Sequence, residues 1–179
     1  KTPNQVLAII NMPEKLPFNT EILSGQLVIM LDGINDPGNL GTIIRTADWF
    51  GISHIICSEN CADVYNPKVV QATMGSVFRV NVWYESIIKI LGHLSPEIPV
   101  YGAVLDGISI YQTNLSSTGV VIIGSESHGI SSELKPFITT RICIPGYPVE
   151  DRITAESLNA SVAAAIVIAE FRKRLKFVN

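Results

Sequence analysis

The sequence predicts an α/β fold built on a mainly parallel sheet with helices on both faces. Three observations carry that expectation. Short continuous apolar runs, led by residues 27–31 (LVIML) and 119–124 (GVVIIG), have the length and unbroken hydrophobicity of strands buried on both faces. Amphipathic helical segments lie between such runs, so strand and helix alternate along the chain. The 179 residues are 47% hydrophobic, enough for one domain with a sizeable core and too much for a disordered chain.

Residues 1–25 carry Pro3, Pro13 and Pro17 and end on Ser24-Gly25; they read as a leader or linker, with residues 6–10 patterned as an edge strand. After the strand at 27–31, the turn-rich stretch 32–39 (DGINDPGN) leads into a helix. Leu40, Ile43, Ile44, Ala47 and Phe50 form its apolar face, and Gly51 is its stop. A strand at 54–57 (HIIC), a helix at 67–74, a strand at 78–83, a helix at 86–91 and a strand at 99–104 follow. Beyond the strand at 119–124 come a short strand at 141–144 and a long helix at 155–175. That helix is apolar at Leu158, Val162, Ala165, Ile166 and Ala169, and Arg172, Lys173 and Arg174 sit at the negative end of its dipole.

Composition excludes several functions. The net charge is -3, so no whole-domain basic field for nucleic acid exists, and any such contact needs a local patch or a second subunit. Charged residues are only 16%, which points to surface covered by a partner chain or a further domain. Cys57, Cys61 and Cys143 are odd in number and form no C-x-x-C pair, which argues against a disulfide framework or zinc site and for a reducing, cytoplasmic setting. No apolar run reaches the roughly 18 residues of a membrane span, and no metal-binding pattern occurs.

Three polar, glycine-bearing segments each follow a strand: 32–45, 124–131 and 145–161. Ligands of open α/β sheets bind outside the carboxyl ends of the strands, where three such loops would converge. Ordinary turn chemistry accounts for Gly and Asn there equally well. No G-x-G-x-x-G or phosphate-loop lysine is present, which disfavours a dinucleotide or P-loop site. His54 and His93 read as structural; His128, inside the glycine loop, stays open.

Residues 35–47 (NDPGNLGTIIRTA), 124–131 (GSESHGIS) and 144–145 with 156–165 (ESLNASVAAA) stand in this order, with 72–78 (ATMGSVF) between. Together they resemble the signatures of the SpoU/TrmH RNA 2′-O-methyltransferases of the SPOUT superfamily, over about residues 27–175. The resemblance implies a C-terminal trefoil knot, S-adenosylmethionine held in the knot, and a homodimer with the active site at the interface. It makes 26–179 the catalytic domain. Residues 1–25 then become the join to an N-terminal RNA-binding domain, as in longer members.

Carried onto this chain, the resemblance assigns catalytic roles to Asn39, Arg45, Glu126 and Asn159, and cofactor binding to Gly124, Ile144 and Leu158. Arg45 suits a phosphate of the RNA, because a guanidinium forks onto oxyanions and is a poor base. Asn39, Glu126 and Asn159 orient the ribose and brace the loops. Without that context Asn39 reads as a helix N-cap, Glu126 as loop solvation and Arg45 as a solvated helix charge. Asn159, placed inside the last helix, sits where Asn is mildly unfavourable.

Two departures stand out. Ser125 and Ser127 replace the Asn and Gly that usually flank the Glu of the second signature, and residues 146–154 lengthen the loop before Glu156 and Ser157. The implied function is methyl transfer to a ribose 2′-hydroxyl of structured RNA, ribosomal rather than transfer RNA. The alternative is a catalytically weak, dimeric RNA-binding module that keeps the fold.

Overall fold

The computed structural model describes residues 11, 18–147 and 155–173. The strand pattern at 6–10 and the last residues of the expected final helix lie outside them. Six strands form one sheet: β1 (Leu27–Asp32), β2 (His54–Cys57), β3 (Asn81–Tyr84), β4 (Val100–Ser109), β5 (Gly119–Gly124) and β6 (Thr140–Cys143). Every pairing between them is parallel, in the order β3-β2-β1-β5-β4-β6. Four helices join them: α1 (Pro37–Trp49), α2 (Pro67–Thr73), α3 (Ile87–Gly92) and α4 (Ala160–Lys173). No helix among the described residues is long and apolar enough to cross a membrane.

The unbroken apolar run of β1 has a two-sided cause. Leu27, Ile29 and Leu31 pack with Ile43, Ala47, Val69 and Phe171 of α1, α2 and α4 on one face. Val28 and Met30 pack with Ile87, Ile90 and Leu91 of α3 on the other. All five are essentially inaccessible to solvent. Helices thus cover both faces, as the alternation predicts.

The chain order reverses between β1 and β5. From β1 the chain runs outward through β2 and β3, then crosses to the far side. Asp32 and Gly124 are partners in register, so the two strands end level and their following loops open side by side.

Three boundaries differ from the sequence reading. Phe78 lies in a single 3₁₀ turn, Ser76–Phe78, and the strand begins later, at Asn81. Met74 and Gly75 adopt left-handed backbone there (φ 49° and 90°). They turn the chain so that buried Ser76 donates its hydroxyl hydrogen to Asp48 at 2.7 Å. β4 runs beyond residue 104, and its pairing with β6 shifts register between Ala103 and Ile108, which arches residues 104–107 out of the ladder. A Cβ on Gly107 would lie 2.6 Å from the Ile142 carbonyl carbon, so this close approach requires glycine.

The third correction concerns the last helix, which starts at Ala160 rather than residue 155. Oδ1 of Asn159 accepts from the backbone N–H of Ser161 (3.0 Å) and of Val162 (3.3 Å), and its carbonyl receives Ala163 N–H at 2.9 Å. Asn159 is therefore the N-cap of α4, not an interior residue.

α1 and α4 lie side by side and run parallel. Asn159 bonds Asn39 at their N-terminal ends (2.9 Å), and Arg172 donates to the Gly51 carbonyl at their C-terminal ends (3.0 Å).

Candidate active site

Each wall of the site is built by local chemistry. At the end of β1, Gly33 (φ 70°) turns the chain, and its N–H is received by Ser58 Oγ at 2.9 Å. The N–H of Ile34 points at the buried thiol of Cys61, 3.2 Å away. Asp36 then caps α1, its Oδ1 accepting from Asn39 N–H at 2.8 Å, with Pro37 in the first helical position. The capping role open to Asn39 in the sequence thus belongs to Asp36, which frees the Asn39 carboxamide to face the neighbouring loop.

At the end of β5, residues 125–129 form a tight turn closed by a bridge between Ser125 and Gly129. Gly124 is packed against that turn: a Cβ there would lie 2.1 Å from the Gly129 carbonyl carbon. Asp32, which ends β1, accepts from Ser131 N–H at 2.7 Å and ties the exit of this turn to the first loop. Sequence reasoning missed Asp32; its signal was a carboxylate directly after a fully buried strand.

Glu126 projects from the turn onto the N-terminus of α4. Its Oε1 accepts three hydrogen bonds: from Asn39 Nδ2 (3.0 Å), Asn159 Nδ2 (2.7 Å) and Ala160 N–H (2.9 Å). Asn159 Nδ2 also reaches Asn39 Oδ1 at 2.9 Å. The positive ends of α1 and α4 meet at this carboxylate. Three side chains from three loops are thereby locked together. Asn39 and Glu126 of this cluster line a small pocket of about 170 Å³, with Gly33, Asn35, Asp36, Ser127 and Ala160.

Beside it opens a cleft of about 730 Å³, a size suited to a small-molecule ligand. Gly124, Ile144 and Leu158 all line it, as do Leu105 from the β4 arch and Glu126 and Ser127 from the turn. Leu158 and Leu105 are 44% and 75% exposed, so the cleft offers bare apolar surface. On its far wall the exposed Arg141 and Asp106 form an ion pair that holds the arch to β6. The Arg141 guanidinium keeps the Asp106 carboxyl below its ordinary range.

Of the sequence-derived residues, Asn39, Glu126 and Asn159 form one bonded cluster and Gly124, Ile144 and Leu158 one cleft wall. Arg45 stands apart. It is exposed on the solvent ridge of α1, in line with Thr42 and Trp49, and makes no ion pair among the described residues.

The model of the SpoU rRNA Methylase family matches residues 26–169. The chain is 33% identical over 174 residues to the 23S rRNA (guanosine(2553)-2′-O)-methyltransferase RlmP of Bacillus subtilis, covering 96% of this chain and 66% of that protein. A putative TrmH-family RNA methyltransferase structure from Porphyromonas gingivalis superposes with a TM-score of 0.77 at 44% identity, over 84% of this chain and 60% of that one. The AdoMet-bound rRNA methyltransferase of Sinorhizobium meliloti superposes with a TM-score of 0.75 at 32% identity, over 86% and 58%. The chain thus spans about two thirds or less of each of these proteins. The matched region holds the β1, β5 and β6 loops that meet around Glu126 and most of α4. On that match the chain belongs to the SpoU rRNA methylase family.

Proposed function

We propose that the protein is an S-adenosylmethionine-dependent methyltransferase acting on a ribose 2′-hydroxyl of structured RNA, with ribosomal RNA as the substrate. The observation that carries this reading is the junction of a nucleoside-sized cleft and a small polar pocket at one carboxylate, Glu126, fixed by Asn39 and Asn159. The names of the similar proteins, rRNA 2′-O-methyltransferase and AdoMet-bound rRNA methyltransferase, support it.

The cleft suits the cofactor chemically. Gly124 lets the 125–129 turn pack tightly on the strand end and so shapes the cleft wall, and Leu105, Ile144 and Leu158 offer apolar surface to a purine. When bound, the cofactor supplies an electrophilic methyl group on a sulfonium. The chain's residues do the rest. Asn39 is held in place by Glu126, which Asn159 braces from behind, so the small pocket presents fixed polar groups to a ribose. Arg45 grips a phosphate of the RNA with its planar fork.

The active form is a homodimer with its site at the subunit interface, and the C-terminal part is threaded as a trefoil knot. The outward side of α4 supports the dimer: Val162 is 47% exposed, and Ala165, Ile166 and Ala169 are half-buried in the single chain. Arg45 and Trp49 lie on the adjoining ridge of α1, where a second subunit would bring Arg45 toward its neighbour's site. Three free thiols accord with a cytoplasmic setting.

The test pairs calorimetric titration of S-adenosylhomocysteine with transfer of labelled methyl to ribosomal RNA and analysis of the nucleosides released. Micromolar binding and a 2′-O-methyl nucleoside are expected. Binding of NAD or ATP in place of the sulfur ligands would overturn the reading.

A further inference from the structure

Residues 72–78 stand among the ordered signatures, yet none of them lines the cleft or the small pocket. They lead from α2 into the turn at Ser76–Phe78, which packs against the C-terminal half of α1. Asp48 fastens the two. Ser76 Oγ donates to its Oδ2 at 2.7 Å, and Arg79 donates to the same oxygen from Nε (2.9 Å) and Nη2 (2.7 Å). Trp49 follows Asp48 on the helix, and Phe78 lies between Ser76 and Arg79 on the turn. One carboxylate therefore brings the two aromatic positions together.

Both rings face solvent: Trp49 is 84% exposed and Phe78 71%. Met74, 70% exposed, precedes them with the left-handed backbone that no other described non-glycine residue adopts, a strained conformation for methionine. A single apolar side chain on a surface needs no explanation. Three gathered around one braced turn mark a contact surface.

Charge says what that surface meets. The chain has a net charge of -3, but α1, α2 and residues 74–80 together carry Arg45, Lys68 and Arg79 against one carboxylate, Asp48. Arg79 neutralises Asp48, while Arg45 and Lys68 are exposed and make no ion pair among the described residues. An apolar partner would leave these cations unpaired. A polyanion with exposed aromatic bases satisfies both the cations and the rings. Arg45 lies one turn before Trp49, and the same helix begins at the Asn39 cluster, about 15 Å from Trp49 along the axis.

We infer that Trp49 and Phe78 form a stacking platform for unpaired bases of the RNA beside the methylated nucleotide, with Arg45 on the intervening phosphate; the inference rests on the RNA methyltransferase reading above. In the dimer the platform flanks the site toward which Arg45 is brought. The recognised feature is a single-stranded loop or bulge, because bases inside a duplex already stack on each other. Every base has an aromatic face, so the platform selects unpaired structure and not sequence.

The test uses the two tryptophans of the chain, Trp49 and Trp83. Trp83→Phe keeps an aromatic ring against His54 and Phe18 and leaves Trp49 as the only indole. A single-stranded oligoribonucleotide should quench its fluorescence; a duplex of equal length and an abasic strand of equal charge should not. In the wild-type background, Trp49→Ala and Phe78→Ala should each weaken binding of that oligonucleotide about tenfold or more, and Trp49→Phe should keep most of it. Affinity for S-adenosylhomocysteine and the mass by light scattering should not change. Trp49→Ala binding within twofold of wild type, or equal quenching by the abasic strand, would overturn the platform while leaving the methyltransferase intact. A monomer for Trp49→Ala would assign this surface to a second copy of the chain and overturn it too. A wild-type protein that neither binds S-adenosylhomocysteine nor transfers methyl would overturn the reading on which the platform rests.

Discussion

Glu126 and Asn159, 33 positions apart in the chain, meet at 2.7 Å, the carboxamide donating to the carboxylate. Two roles follow from one contact: Asn159 starts α4, and Glu126 fixes where α4 starts. Glu126→Ala would strip Asn39 Nδ2, Asn159 Nδ2 and Ala160 N–H of their shared acceptor at once. Methyl transfer should fall about a hundredfold or more, as when one preorganised group of an active site is lost. Because the cluster is solvent-exposed, the melting temperature should move by only a few degrees. Single-turnover kinetics and calorimetry on the same preparation check both.

Gly124 tests the cleft. Its Cβ would collide with the carbonyl of Gly129, so Gly124→Ala must push the whole turn outward. Overpacking of this kind costs about 1–3 kcal/mol. The melting temperature should fall accordingly, and affinity for S-adenosylhomocysteine, read by calorimetry, should weaken because the displaced turn lines the cleft.

Arg45 separates RNA handling from cofactor binding. It lies on α1, outside the cleft lining. Arg45→Ala should leave S-adenosylhomocysteine affinity unchanged and lower transfer about a hundredfold. Arg45→Lys should recover only part of the loss, because an ammonium lacks the planar fork. Equal losses of binding and transfer would remove Arg45 from RNA handling.

The α4 face tests the dimer. Val162→Glu places a charge at the most exposed position of the apolar strip. Light scattering at micromolar concentration should report twice the chain mass for wild type and a monomer for the variant. The helix content of the two should be equal by circular dichroism. A wild-type monomer would exclude a shared site.

Acid stability should depend on Asp48. Hydrogen bonds from Arg79 (2.7 Å and 2.9 Å to Oδ2), then from Ser76, hold its carboxyl below the ordinary range. A group whose native pKa is depressed adds stability above its unfolded value, and that stability is lost as pH falls through the native one. Wild type should therefore lose stability more steeply than Asp48→Asn between about pH 4 and pH 2. Denaturant titrations of the two proteins across that range check the slope.

The strands and the signature loops were legible in the sequence because their causes are local. A continuous run such as residues 119–124 has no amphipathic alternative, and Leu40, Ile43, Ile44 and Ala47 mark the apolar face of α1, although its cap is Asp36 and not Asn39. The start of α4 was not legible. Residues 155–158 are fair helix formers, and the boundary is set by the Asn159 side chain competing for backbone N–H groups. The β4 arch was also hidden, since its register shift comes from pairing with β6 about 35 residues later. The orientation of His128 depends on a turn closed by its neighbours, which composition does not encode. Asn39, Glu126 and Asn159 could be nominated singly, but only the parallel packing of α1 on α4 brings them together.

That packing also sets when the protein becomes competent. Asn39 and Asn159 are 120 positions apart, and their contact is one of the four hydrogen bonds of the cluster. A nascent chain emerging from the ribosome carries Asn39 and Glu126 long before α4 is made. Until α4 docks, the Glu126 carboxylate lacks two of its three donors and the cleft lacks the wall that holds Leu158. The polar cluster is therefore completed only by the last helix, so the site is assembled as one of the final events of folding.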